Sequence, residues 1–76
     1  MKISLKQNGK YLAHIRLPFL QRIASAAQVA GAFREQGFTD VAASGSGADR
    51  IVSGTWPNAA QDVEISDSRI TSVTEL

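Results

Sequence analysis

The chain has 76 residues, a mass of 8.1 kDa, 43% hydrophobic and 20% charged residues, and a formal net charge of +1. This length predicts one domain over residues 1–76, and the composition excludes collagen-like and strongly disordered chains. There is no cysteine and only one histidine, which excludes disulfides, thiolate metal sites and histidine clusters. The lack of cysteine and of a long apolar run favours a cytoplasmic protein without a membrane span.

The first two segments of the chain have the pattern of a β-hairpin. Residues 2–7 and 11–17 each alternate apolar and polar side chains, and an Asn-Gly pair lies between them. A three-residue loop that pairs Leu5 with Tyr11 places the apolar side chains of both strands on one face. We therefore expect an antiparallel hairpin in which Gly9 adopts a left-handed, bulged conformation.

Residues 19–36 have the pattern of one amphipathic helix, beginning after Pro18 and ending at Gly37. On a helical wheel the apolar side chains fall within an arc of about 140°. These side chains are Phe19, Leu20, Ile23, Ala26, Ala27, Ala30 and Phe33. We expect this face to pack on the sheet, beside a strip of small residues formed by Ala24, Ala27 and Gly31.

Four further strands are predicted after the helix, separated by turns rich in Gly, Ser, Pro and Asn. They cover residues 38–43, 50–56, 61–66 and 69–74. The predicted fold class is α+β, with the order β-β-α-β-β-β-β, a single mainly antiparallel sheet and the helix packed on one face. The opposite face of the sheet is expected to carry Ser, Thr and charged side chains.

The charges are unevenly ordered along the chain. Residues 1–34 contain six Lys and Arg residues and no acidic residue, whereas residues 35–76 contain seven acidic and two basic residues. Such an asymmetry is typical of a chain that binds a charged partner. It also suits attraction between the two halves of one fold.

The basic side chains near the N-terminus form one candidate surface. They alternate with apolar residues, so they are expected on the solvent side of the hairpin, within reach of phosphates. The candidate nucleic-acid-binding residues are Lys2, Lys6, Lys10, His14, Arg16 and Arg22. The predicted register turns Tyr11 inward, which leaves no aromatic side chain there for base stacking. A plain solvated strand face is the competing interpretation.

The acidic side chains near the C-terminus form a second candidate surface. Asp62 and Glu64 share one face of a predicted strand, and Asp67 lies in the following turn. We interpret them as a docking surface for a basic protein, with a solvated face as the competing interpretation. Their spacing lacks the oxygen pattern and glycine of a calcium loop.

Trp56, followed by a proline at a strand end, has two interpretations. An exposed Trp at that position is a candidate hot spot for protein binding. In a core this small, it is expected instead to pack over Gly54 against the helix.

A catalytic site is not expected. His14 and Ser4 share an open hairpin without an orienting acid, and Asp62 and Glu64 lack the unequal burial that an acid–base pair needs. The sequence favours a non-enzymatic protein-binding module without metal or cofactor, such as a small inhibitor or adaptor of phage or bacterial type. The alternatives are nucleic-acid binding and a structural homo-oligomer, such as a homodimer, closed through an edge strand or the small-residue strip.

Overall fold

Six strands and one α-helix, with a short 3₁₀ turn before the helix, make up the computed structural model, which describes residues 1–76. In chain order the elements are β1 (Lys2–Leu5), β2 (Gly9–Arg16), the 3₁₀ turn (Phe19–Gln21), α1 (Ala26–Glu35), β3 (Thr39–Ser46), β4 (Asp49–Trp56), β5 (Gln61–Glu64) and β6 (Ile70–Glu75). The predicted α+β class with antiparallel strands is confirmed.

The strands form two sheets, so the prediction of a single sheet is wrong. One sheet has four strands in the order β3-β4-β2-β6, and the other pairs β1 with β5. Leu5 therefore lies opposite Gln61 and not opposite Tyr11. The physical reason is that β4 and β6 occupy both hydrogen-bonding edges of β2, which leaves no edge for β1.

The turn between β1 and β2 also differs from the predicted bulge. Asn8, and not Gly9, adopts the left-handed conformation, with φ of +62°. Asn8 N–H donates to Trp56 O at 2.6 Å, and Lys6 N–H donates to the Tyr11 hydroxyl at 2.7 Å. Followed from β2 back towards the N-terminus, these bonds direct the backbone out of the four-stranded sheet, so that β1 lies outside it.

The helix is shorter than the predicted 19–36 because a capping box fixes its start. Ser25 Oγ accepts a hydrogen bond from Gln28 N–H at 3.1 Å, and Gln28 Oε1 accepts one from Ser25 N–H at 2.8 Å. This reciprocal pair satisfies free N–H groups at the N-terminus of α1. The chain before it forms only the 3₁₀ turn. The predicted end is confirmed, since Gly37 follows the last turn with φ of +110°.

The helix packs mainly on β3 at one edge of the four-stranded sheet, and less on β4. The core on this inner face is divided into two small clusters of buried side chains. One contains Leu5, Tyr11 and Trp56, and the other contains Ile15, Leu17 and Val52. Because α1 lies toward β3, much of the inner face over β2 and β6 borders an open groove.

Candidate docking surface

Three large apolar side chains project into solvent from the segment between β2 and α1. The exposed fraction is 77% for Phe19, 84% for Leu20 and 94% for Ile23. We call these three residues the apolar protrusion. Sequence reasoning placed all three on the buried face of a helix, which is wrong because the helix begins only after Ser25. Apolar side chains exposed together mark interaction sites more often than single scattered ones do.

Local hydrogen bonds order the backbone of the apolar protrusion. Gln21 N–H donates to Pro18 O at 2.9 Å, and Ala24 N–H donates to Gln21 O at 3.0 Å. The preceding Leu17 is buried and anchors the segment in the core. The protrusion is therefore an ordered turn, and its ends are fixed by the fold.

Arg50 ties this segment to the turn between β3 and β4. It is the only charged side chain in the buried set, with 5% exposed. Its Nη2 donates to Arg22 O at 3.0 Å and to Ala24 O at 2.7 Å, and its Nε donates to Gly47 O at 3.1 Å. Its hydrogen-bond partners are backbone carbonyls, so the guanidinium works here as a structural clamp.

Basic groups flank the apolar protrusion. The Arg22 guanidinium lies 5.7 Å from the centre of the Phe19 ring, close enough for a cation–π interaction, and Arg22 Nε donates to Leu17 O at 3.4 Å. Arg69 Nη1 donates to Gln21 Oε1 at 2.8 Å, which links the turn to the start of β6. Positive charge therefore stands beside the exposed apolar side chains.

An apolar groove adjoins the protrusion. It has a volume of about 530 Å³, and 16 of its 23 lining residues are hydrophobic. Its floor includes Ala13 and Val73 from the four-stranded sheet, and its walls include Phe33 of α1 and Val63 of β5. Glu64 also lines it. The volume falls within the range of ligand-binding clefts.

The groove and the protrusion belong to one continuous surface. A second concavity is lined by Leu20 and Ile23, and it shares Leu17, Val29 and Arg69 with the groove. Sequence reasoning did not identify the groove, because its walls come from strands far apart in the chain.

The predicted acidic residues have partners within the chain. Glu64 Oε1 lies 3.0 Å from the N-terminal ammonium group, and Asp62 Oδ1 accepts a hydrogen bond from Ser4 Oγ at 2.7 Å. Asp67 forms an ion pair with Arg69, with 2.6 Å between Oδ2 and Nη2. Hydrogen bonds from the Arg69 side chain and backbone lower the pKa of Asp67 to about 2.

The Asp67–Arg69 pair leads to a pH prediction. Because the folded pKa of Asp67 is lowered from 3.8 to about 2, the pair stabilises the fold above pH 3.8, and this contribution is lost as the pH falls towards 2. NMR titration of the Asp67 carboxyl carbon should give a midpoint near 2 in the wild type and a higher one in Arg69→Gln. Identical midpoints in the two proteins would contradict the assigned cause.

The predicted basic residues are divided among four places. Lys10, His14 and Arg16 alternate along β2 and are exposed on the face of the sheet away from the core. Lys6 forms an ion pair with Glu75 at 3.3 Å. The remaining two lie on β1 and beside the apolar protrusion, at Lys2 and Arg22. The structure does not gather the six into one surface.

Trp56 is buried, with 6% exposed, and so is not part of the exposed surface. Its ring centre lies 5.1 Å from that of Phe38 in an edge-to-face arrangement, and its Nε1 donates to Ala59 O at 3.1 Å. Phe38, rather than Trp56, lies against Gly54.

No group of three or more His, Asp or Glu side chains converges in a way that could hold a metal ion. The one α-helix falls short of the length and apolarity that a membrane crossing needs. Comparison of the chain with protein-family models, curated proteins and solved structures finds no significant match.

Proposed function

We propose that this chain is a non-enzymatic protein-binding module that docks through the apolar protrusion and the adjoining groove. The observation that carries the proposal is the 77–94% exposure of Phe19, Leu20 and Ile23 on an ordered backbone. Binding to an ordered surface loses less conformational entropy than binding to a flexible one, so these side chains are well placed to act as anchors. A small inhibitor or adaptor fits this description, and the lack of cysteine supports a cytoplasmic location.

The acidic side chains of the β5 region have less support as the docking surface. Each of the three already has a partner in the chain: the N-terminal ammonium for Glu64, Ser4 for Asp62 and Arg69 for Asp67. A basic partner would compete with these contacts, and exposed ion pairs add little binding energy, about 0–1 kcal/mol each. The apolar protrusion has no such competition.

The nucleic-acid alternative also has less support. The basic side chains that share one face, Lys10, His14 and Arg16, have Leu12 among them and Ser53 and Thr74 on the neighbouring strands. No Phe, Tyr or Trp side chain occupies this row for base stacking. Nucleic-acid binding stays a prediction from the sequence, and a low-salt gel shift at tens of micromolar protein, compared between the wild type and Arg16→Glu, addresses it directly.

Affinity capture from the native host tests the proposed surface. We expect a protein captured by the wild type to be lost with a Leu20→Asp and Ile23→Asp variant, because two anchors become charged. The same protein should be retained with an Asp62→Lys variant, because Asp62 does not line the groove. Circular dichroism checks that both variants are folded, which is expected because all three substituted side chains are exposed. Loss with the lysine variant and retention with the aspartate variant would contradict the proposal.

A further inference from the structure

We propose that a partner of this surface is a second copy of the chain, with the apolar protrusion of each copy seated in the groove of the other. This inference rests on the proposed function, since it uses the same protrusion and groove. It commits to a twofold dimer in which two identical contacts form at once.

The arrangement of the surface favours a twofold assembly. Protrusion and groove are adjacent in each copy, since the groove shares Leu17, Val29 and Arg69 with the concavity beside Leu20 and Ile23. A contact formed by one patch with the same patch of another copy closes on itself, as in most homodimers. If the protrusion and the groove were on opposite sides of the molecule, the same contact would add copies one after another and produce an open-ended polymer.

The charges at the two ends of the contact are complementary. The protrusion comes from the half of the chain with only basic residues, and Arg22 stands beside it with its guanidinium over Phe19. The charged residues that line the groove are Glu64, Asp67 and Arg69; Asp67 is paired with Arg69, which leaves Glu64 with its contact to the N-terminal ammonium group. Seating the protrusion in the groove of a second copy brings Arg22 towards Glu64, where its guanidinium competes with the N-terminal ammonium group for the carboxylate.

The area available is sufficient for a stable dimer. At 77–94% exposure, the three side chains of the protrusion offer roughly 300–400 Å² of apolar surface per copy. Counting the exposed surface of the groove that they cover, two such contacts bury on the order of 1,000–1,300 Å², which is the lower end of the size of a standard interface. A dissociation constant in the micromolar range is expected for an interface of this size without further optimisation.

Sedimentation equilibrium of the intact chain tests the dimer. We expect the wild type to approach twice 8.1 kDa between about 1 and 500 µM. Leu20→Asp should weaken dimerisation by at least about 30-fold, as the loss of an interface anchor does. Leu76→Asp is the matched control, since Leu76 is 69% exposed and does not line the groove, and it should leave the dimer intact. A monomer at every concentration, or equal effects of the two substitutions, would overturn the proposal.

A charge exchange tests the pairing of protrusion with groove. Arg22→Glu and Glu64→Lys should each weaken their own dimer, because like charges then meet at both contacts. An equimolar mixture of the two variants should restore dimerisation, since each protrusion then meets a groove of opposite charge. A contact between two protrusions would not respond to Glu64→Lys, and failure of the mixture to recover would overturn the inference.

The two proposals fail in different ways. If the chain is monomeric but Leu20→Asp and Ile23→Asp together abolish capture of another protein, the proposed function stands and the self-pairing is overturned. If the dimer forms and the protrusion variants capture the same proteins as the wild type, docking of other proteins by this surface is overturned and the self-pairing stands.

Discussion

Arg50→Met is expected to lower the free energy of unfolding by about 3 kcal/mol, out of a total of roughly 4–11 kcal/mol for a domain of this length. The guanidinium is buried and holds Arg22 O, Ala24 O and Gly47 O together with three hydrogen bonds. Methionine retains much of the apolar stem but leaves these carbonyls without their donor. Urea unfolding followed by circular dichroism measures the change.

Arg34→Met is the matched control for this substitution. Arg34 is exposed and donates one hydrogen bond, to Val41 O at 3.3 Å, so its loss should change the free energy of unfolding by no more than about 0.5 kcal/mol. Hydrogen exchange at Ala24 N–H should also become faster in Arg50→Met than in Arg34→Met, because only the first variant frees the segment before α1. Equal stability of the two variants would show that Arg50 is not a clamp.

Trp56→Ala is expected to lower the free energy of unfolding by about 4 kcal/mol, which is about a third or more of the total expected for a domain of this length. The indole ring packs in one of the two core clusters, against Leu5, Tyr11 and the edge of Phe38. Its removal opens a cavity in a hydrophobic core of only eight buried side chains. Urea unfolding followed by circular dichroism is suitable, because the substitution removes the only tryptophan fluorophore.

Trp56→Phe separates packing from hydrogen bonding. Phenylalanine keeps an aromatic ring beside Phe38 but loses the Nε1–H bond to Ala59 O, and a decrease of about 1–2 kcal/mol is expected. If the free energy of unfolding decreased no more in Trp56→Ala than in Trp56→Phe, this result would contradict the packing argument.

Short-range sequence patterns correctly predicted the elements that depend on residues close together in the chain. The alternation in β2 correctly separated buried Tyr11, Ala13 and Ile15 from half-buried Leu12 and exposed His14 between them. The glycine after α1 ended the helix where expected. These features depend on residues within a few positions of one another, which is the range over which side-chain period and backbone preference act.

The predicted start of the helix was wrong because two sequence signals, the apolar spacing and the capping box, disagreed. Apolar spacing continued back to Phe19, whereas Ser25 and Gln28 have the separation of a capping box. Periodicity indicates which residues would share a face if the segment were helical, but the cap determines where the helix begins. The exposed side chains of the protrusion were therefore assigned to the core.

The pairing of β1 and the role of Arg50 depend on contacts between distant parts of the chain. A hairpin with β2 was the shortest connection for β1, and nothing local to either strand showed that β4 and β6 would occupy both edges of β2. In the sequence, Arg50 has only the pattern of a charged residue on a strand. Its role depends on the carbonyl groups of residues 22 and 24, which lie in a distant segment of the chain. The groove was missed for the same reason.

The small sheet of β1 and β5 has a consequence for the order of folding. Its paired residues are 56 to 62 positions apart in the chain, from Leu5↔Gln61 to Lys2↔Glu64. Closing so long a loop has a large entropic cost, and a two-stranded ribbon has little stability without the rest of the fold. We therefore expect this ribbon to form only once the four-stranded sheet supports it, so that one wall of the groove is completed late in folding.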